Sequence, residues 1–314
     1  MIDSHCHVNF NAFKDDWREV INRCFEQGIT AMINIGSNYK TSERAINIAK
    51  EYNQSFAAVG LHPIHVHPVR NADQIFIEGS KSELAYNSNG VSSVNFAEIS
   101  NGVNDEKFEI EKYQELIKEN KDYVKAIGET GLDYYHTEIS NLKSKISKPQ
   151  LETQNFKEMQ EKVFLEHLKL AREFSLPLIL HCRGDVNNPL EAYNDLLSII
   201  HNSKFIIPGV IHCFSANWEI AQKFLALGFY IGFTGIVTYK NCGRDLLEVV
   251  EKTLLEKILI ETDSPYLTPE PHRGERCEPW YVKFTAQRIA EIKKITPEKV
   301  IEQTTQNAKE LFKI

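Results

Sequence analysis

The sequence predicts an α/β barrel of the (β/α)8 type. Apolar, β-rich runs alternate with amphipathic helical stretches along most of the chain, and eight strand candidates can be counted. An open doubly wound sheet is the competing arrangement, but no Gly-rich phosphate loop follows the first strand. A length of 314 residues suggests about two domains. α/β barrels reach that size as one unit, so residues 1–314 read as a single barrel domain.

The elements follow in order. Residues 2–5 form the first strand and run into His5-Cys6-His7. Residues 14–27 place Trp17, Val20, Ile21, Cys24 and Phe25 at helical steps of three and four, with Gly28 as the stop. A buried strand at 30–35 is closed by Gly36; a helix at 42–52 and a strand at 56–61 lead to His62-Pro63. The alternation then breaks. Residues 71–104 are rich in Asn, Ser and Gly and read as a polar surface insertion. A helix at 106–119 and a strand at 124–128 lead into Glu129-Thr130-Gly131-Leu132-Asp133-Tyr134, and a second polar insertion covers about 136–153.

From 156 the pattern is clean. Helix 156–174 precedes strand 176–180, which ends at His181. Helix 190–201 precedes strand 206–211, which ends at His212. Helix 218–227, strand 229–233, helix 245–254 and strand 257–261 complete the alternation, the last strand running into Thr262-Asp263. Two helices, 281–293 and 297–312, close the chain.

A net charge of −7 and a pI near 5.9 argue against a generally basic nucleic-acid coat. They do not exclude a nucleic-acid enzyme, because bound divalent cations can make one cleft positive. The six cysteines form no C-x-x-C, which points to a reducing compartment rather than a disulfide framework. No signal peptide and no apolar run long enough to span a membrane are visible, so the expected setting is cytoplasmic or nuclear and the default state a monomer.

The strand ends carry the chemistry. His5 and His7 follow the first strand, His62 the third, Glu129 the fourth, His181 the fifth, His212 the sixth and Asp263 the eighth. Any one histidine there is more often a hydrogen-bonded structural residue. In a barrel, however, the C-terminal strand ends converge on one mouth. His5, His7, His181 and His212 with Glu129 and Asp263 suit two divalent ions, one carboxylate bridging; mixed nitrogen and oxygen ligands favour zinc or manganese over magnesium. Cys6, Cys182 and Cys213 each follow a candidate ligand, so strand alternation should turn them toward the helix layer. Asp133 and Glu261 are candidates to orient histidines, or ordinary structural partners.

D-S-H-C-H at the start, G-L-H-P at 60–63, I-G-E-T-G-L-D-Y at 127–134, L-I-L-H-C-R at 178–183, I-H-C-F-S at 211–215 and E-T-D-S-P-Y-L at 261–267 together resemble the TatD-related deoxyribonucleases. N-A-K-E-L-F at 307–312 is similar to that family's C-terminal helix. The resemblance implies a distorted barrel with a two-metal centre that hydrolyses DNA, often 3′ to 5′ on single strands. It implies that His5, His7, Glu129 and Asp263 hold one ion. Glu129, His181 and His212 would hold the second, with His62 positioning phosphate or water. Asp263 would also accept the proton of the attacking water.

Two departures stand out: Cys277 replaces a usual Asn, and Arg183-Gly184-Asp185 replaces the commoner Arg-Asp-Ala. Arg183, Arg273 and Arg276 are candidates for phosphate contacts, and Tyr134, Tyr135 and Trp280 for base stacking; surface charge and ordinary packing are the alternatives. The same centre could instead cleave an amide or ester, such as an aminoacyl-tRNA ester. A non-catalytic binding barrel would have no use for the full ligand set.

Overall fold

The computed structural model describes residues 1–66, 107–135, 149–204 and 207–314. Eight parallel strands follow one another in the order β1 to β8: β1 Ile2–Cys6, β2 Ala31–Ile35, β3 Ser55–Val59, β4 Val124–Asp133, β5 Leu178–Arg183, β6 Gly209–Ile211, β7 Tyr230–Phe233 and β8 Ile258–Ile260. Between them lie α1 Trp17–Glu26, α2 Tyr39–Glu51, α3 Ile110–Glu119, α4 Pro149–Phe174, α5 Glu191–Asn202, α6 Trp218–Ala226 and α7 Arg244–Lys252; α8 Val282–Lys293 and α9 Pro297–Phe312 follow β8. This is the (β/α)8 barrel that the alternation predicts.

Closure comes from the segment just past β8. Asp263 N–H donates to the His5 carbonyl at 2.9 Å, and His7 N–H to the Ser264 carbonyl at 2.8 Å. The fully buried Asp3 carboxylate reinforces the seam: it accepts from Thr262 N–H at 3.0 Å, from the Thr262 hydroxyl at 2.6 Å and from His5 N–H at 3.2 Å. First and last strands are thus tied at the residues that the mouth uses.

Two apolar layers support the barrel. Ile2, Ile33, Ala58, Ile179, Val210 and Leu259 fill its interior, where Leu311 and Phe312 of α9 pack against them. A larger cluster lies between strands and helices, and alternation sorts the two: along β2, Ala31, Ile33 and Ile35 face inward while Met32 faces the helices. No helix among the described residues is long and apolar enough to cross a membrane.

Several boundaries differ from expectation: α3 begins at Ile110 rather than 106 and β6 at Gly209 rather than 206, and three further differences have a local explanation. β4 continues to Asp133 rather than stopping at 128, because its glycines are places of close approach, not ends. A Cβ at Gly128 would lie 2.6 Å from the Ile179 carbonyl oxygen, and one at Gly131 would collide with the His181 carbonyl. Both glycines have positive φ, and the β4–β5 register shifts between Ile127 and Thr130. β5 likewise runs through His181 to Arg183. α4 begins at Pro149, seven residues before the predicted start and inside the predicted second insertion. Its first turns are polar and show no apolar stripe, and proline suits the first helical position. The rest of that insertion and the whole of 71–104 lie outside the described residues.

Candidate metal centre

β1 brings His5 and His7 to the mouth together. The His7 Nδ1–H donates to the Ile35 carbonyl at 2.9 Å, which leaves its Nε2 lone pair pointing inward. That Nε2 lies 3.1 Å from the Nε2 of His5, whose ring stacks on His212 with centroids 3.5 Å apart. Burial lowers the His5 pKa to about 4, so this imidazole stays neutral.

β4 places Glu129 in the middle, with its two oxygens serving different histidines. Oε2 faces His5 Nε2 at 3.4 Å and His7 Nε2 at 3.8 Å. Oε1 faces His181 Nδ1 at 3.0 Å, His62 Nε2 at 3.4 Å and His212 Nε2 at 3.8 Å. Burial alone would raise this carboxyl's pKa; the surrounding imidazoles outweigh that and hold it well below the usual carboxylate range.

Two further carboxylates decide which nitrogen each histidine presents. Asp133 takes His181 Nε2 at 2.9 Å, so Nδ1 faces Glu129. Glu261 lies 2.9 Å from His212 Nδ1, so Nε2 faces the centre. Burial opposes protonation of both rings, yet the carboxylates prevail and raise His181 to about 9 and His212 to about 10. Asp263, reached by a backbone turn with φ of +60°, closes the ring: its Oδ1 lies 3.3 Å from His7 Nε2, 3.6 Å from His5 and 3.8 Å from His212.

This donor set fits divalent cations. Ligands bonded to one ion at about 2.0–2.2 Å in tetrahedral geometry lie roughly 3.3–3.6 Å apart. Most of the cross-pairs above fall near that spacing, too long for good hydrogen bonds but suited to a shared cation. Three triads have ligand atoms mutually within 4.8 Å: His5–His7–Glu129, His5–His212–Asp263 and His62–Glu129–His181. His62 differs from the others. Its Nδ1 accepts from Ile64 N–H at 3.1 Å, which puts the proton of the neutral ring on Nε2, toward Glu129. It faces the centre as a hydrogen-bond donor.

Several supporting residues escaped the sequence reading. His167 on α4 accepts from Leu61 N–H at 3.0 Å and donates to the Val163 carbonyl at 2.8 Å, bracing the loop that carries His62. In the sequence its helical spacing within 156–174 does not distinguish it from an ordinary face residue. Gly232 leaves room for Glu261, since a Cβ there would lie 2.7 Å from both carboxylate oxygens. Glu261→Gln is therefore expected to weaken metal binding about 10–100-fold while the fold melts cooperatively; unchanged affinity in a chelator competition would show that Glu261 does not orient His212.

The other predicted residues separate. A cavity of about 190 Å³ at the mouth is lined by the cluster, by Arg183 and by an apolar wall of Phe10, Ile64, Ile236, Tyr266 and Leu267. Arg183 lies over the Tyr135 ring at 3.8 Å. Arg273 sits over Tyr239 at 3.9 Å and donates to the Thr268 carbonyl at 3.2 Å, next to the cavity wall. Arg276 instead pairs with Asp16 at 2.9 and 2.5 Å and with the Ala12 carbonyl at 2.7 Å, joining the loop after β8 to the start of α1. Arg276→Ala is expected to cost about 1 kcal/mol or less in a melt and to change kcat/KM less than twofold. Tyr134 is buried and donates its hydroxyl to Asp195 at 2.9 Å, which leaves no face for a base. Trp280 packs against Tyr281 and His272, with its indole N–H on Glu278 at 2.9 Å.

Of the three cysteines, Cys6 and Cys182 join the helix-layer core, Cys182 also reaching the cavity wall. Cys213 does not follow the alternation. β6 ends at Ile211 and Cys213 has a φ of +46°, so its thiol lines the mouth 3.4 Å from the Thr234 hydroxyl. A larger hollow of about 850 Å³ at the opposite, N-terminal face contains no histidine.

The chain's similarities agree with this geometry. The family model described as TatD related DNase matches residues 2–313. The metal-dependent hydrolase YabD of Bacillus subtilis is 32% identical over 315 residues, covering 100% of this chain and 99% of that protein. The metal-dependent hydrolase YcfH of Escherichia coli K12 is 36% identical over 208 residues, 66% of this chain and 69% of its own. The crystal structure of YJJV, a TatD homolog from Escherichia coli, superposes with a TM-score of 0.73 at 23% identity, covering 100% of this chain and 98% of that one. A TatD family hydrolase from Entamoeba histolytica superposes at 0.70 with 20% identity over 99% of this chain and 97% of its own. A barrel whose strand ends converge as a histidine–carboxylate cluster, matched along almost its whole length, belongs to the TatD related DNase family of metal-dependent hydrolases.

Proposed function

We propose that the chain hydrolyses DNA phosphodiester bonds with two divalent cations, removing nucleotides from the 3′ ends of single strands. The observation that carries this reading is the division of Glu129: one oxygen toward His5 and His7, the other toward His181 and His212. In this reading His5, His7, Asp263 and Glu129 hold one ion, and Glu129, His181 and His212 the other. When bound, such a pair lowers the pKa of water and neutralises charge on the phosphate oxygens.

The chain's own groups do the rest. Asp263 Oδ1 lies at the cavity and accepts the proton of the attacking water. His62 offers its Nε2–H to a phosphate oxygen, held in place by Ile64 N–H behind it. Arg183, stacked on Tyr135, supplies a fixed charge for the next phosphate. The cavity of about 190 Å³ is too small for a duplex and suits a single strand's end. Mixed imidazole and carboxylate ligands favour zinc or manganese.

The apolar wall favours one further reading, in which an acyl or aminoacyl ester occupies the same mouth. End-labelled single-stranded DNA and aminoacyl-tRNA, each offered with and without EDTA and beside His181→Ala, distinguish the two. The expected result is stepwise shortening of the DNA, abolished by EDTA, restored by manganese or zinc and absent in the variant. Release of the amino acid with intact DNA would replace the nuclease reading with the deacylase one.

A further inference from the structure

A second groove opens beside the mouth. It has a volume of about 480 Å³ and runs between the loop after β1 and the outer face of α2. Phe10 separates the two: its ring stacks on His7 at 4.2 Å on the mouth side and lines the groove on the other. The groove is basic on a chain of net charge −7: Lys14, Arg18 and Arg44 line it against a single acid, Glu51.

That acid is already engaged. Arg18 holds Glu51 with two hydrogen bonds of 2.6 and 2.9 Å, so this pair contributes little net charge. Lys14 and Arg44 remain, and neither has an ion-pair partner among the described residues. Asn11 holds the Arg44 guanidinium and, through the backbone alone, the turn that carries Lys14. Arg44 donates to the Asn11 side-chain oxygen at 2.9 Å, and the Lys14 N–H to the Asn11 carbonyl at 3.1 Å. Of the acids beside these cations in sequence, Asp15, Asp16, Glu19 and Glu43, Asp16 is bound to Arg276, and none of the four lines the groove. Arg18 covers the Trp17 ring at 4.1 Å, so the groove offers cations rather than a stacking face.

We propose that this groove is a second subsite for single-stranded nucleic acid, taking backbone phosphates of the nucleotides that lead away from the mouth over Phe10. The proposal rests on the nuclease reading for what occupies the mouth. Two unpaired cations, one held in place by Asn11, form a track for a polyanion and carry no base preference.

The test is a Lys14→Gln/Arg44→Gln variant beside a Lys223→Gln/Lys252→Gln control, which removes equal charge from α6 and α7. Binding of a fluorescent 12-nucleotide oligothymidylate is measured by anisotropy in EDTA across a salt series, and kcat/KM is compared for the 12-mer and for the thymidine dinucleotide. In the groove variant the Kd should rise about tenfold. The slope of log K against log salt should become shallower by about 1.4, the share of two single-strand phosphates. The ratio of kcat/KM for the 12-mer over the dinucleotide should fall by a similar factor, and the control should move none of these. Unchanged Kd, slope and ratio in the groove variant overturn the subsite while wild-type hydrolysis keeps the nuclease reading. Wild-type protein that binds the 12-mer through the groove without cutting it overturns the nuclease reading alone, and protein that does neither overturns both. If the double variant melts early, Lys14→Gln alone decides, with a slope change of about 0.7 expected.

Discussion

On the two-ion reading proposed above, Glu129→Gln should empty both ion positions at once and lower kcat/KM by about 10⁴-fold, about 5 kcal/mol of transition-state stabilisation. The size follows from its place. Among the described residues no other carboxylate faces all four of the predicted ligand histidines; its Oε2 serves the β1 pair and its Oε1 the β5 and β6 residues. The amide keeps the volume but replaces one oxygen with a nitrogen that has no lone pair to offer. Metal analysis of the purified variant, with hydrolysis of a labelled single strand, checks it. Two ions per chain and normal turnover would rule out a bridging Glu129. Loss of a single ion would make Glu129 a ligand of one site only.

Asp263→Asn separates chemistry from binding. Asparagine can still present Oδ1 toward His5, His7 and His212, so metal content should stay near the wild-type level. What disappears is a group able to take a proton from water. Burial would by itself disfavour the ionised carboxyl, but the imidazoles of His7, His212 and His5 around it hold its pKa below the ordinary value, so it is present as the carboxylate that a proton acceptor must be. A fall in kcat of about 10³-fold with KM within a few-fold is expected. Near-normal turnover at saturating metal would remove Asp263 from the proton-accepting role.

The spacing of elements along the chain decides much of this protein without tertiary information. A strand's apolar run, a helix's three- and four-residue steps and a glycine stop are all local, so the alternation of units can be read directly. So can the residue at each strand's C-terminal end, because the barrel topology sends all those ends to one mouth. His5, His7, His62, Glu129, His181, His212 and Asp263 were legible for that reason. The β4 boundary was not: Gly128 and Gly131 look like a terminator in sequence, whereas they let β5 approach β4.

The rest depends on residues far apart in the chain. Whether His181 presents Nδ1 or Nε2 is decided by Asp133 on the neighbouring strand, and the same choice for His212 by Glu261 on β8's continuation. Arg276 and Tyr134 have the composition of substrate contacts, but folding brings Asp16 and Asp195 within hydrogen-bond reach and engages them first. Cys213 turns to the mouth because β6 stops two residues earlier and alternation no longer applies. Periodicity reports which face a side chain leaves from. Which partner it meets there is set by register and chain reversal, and those exist only once the barrel has closed through Asp3, Thr262 and Ser264.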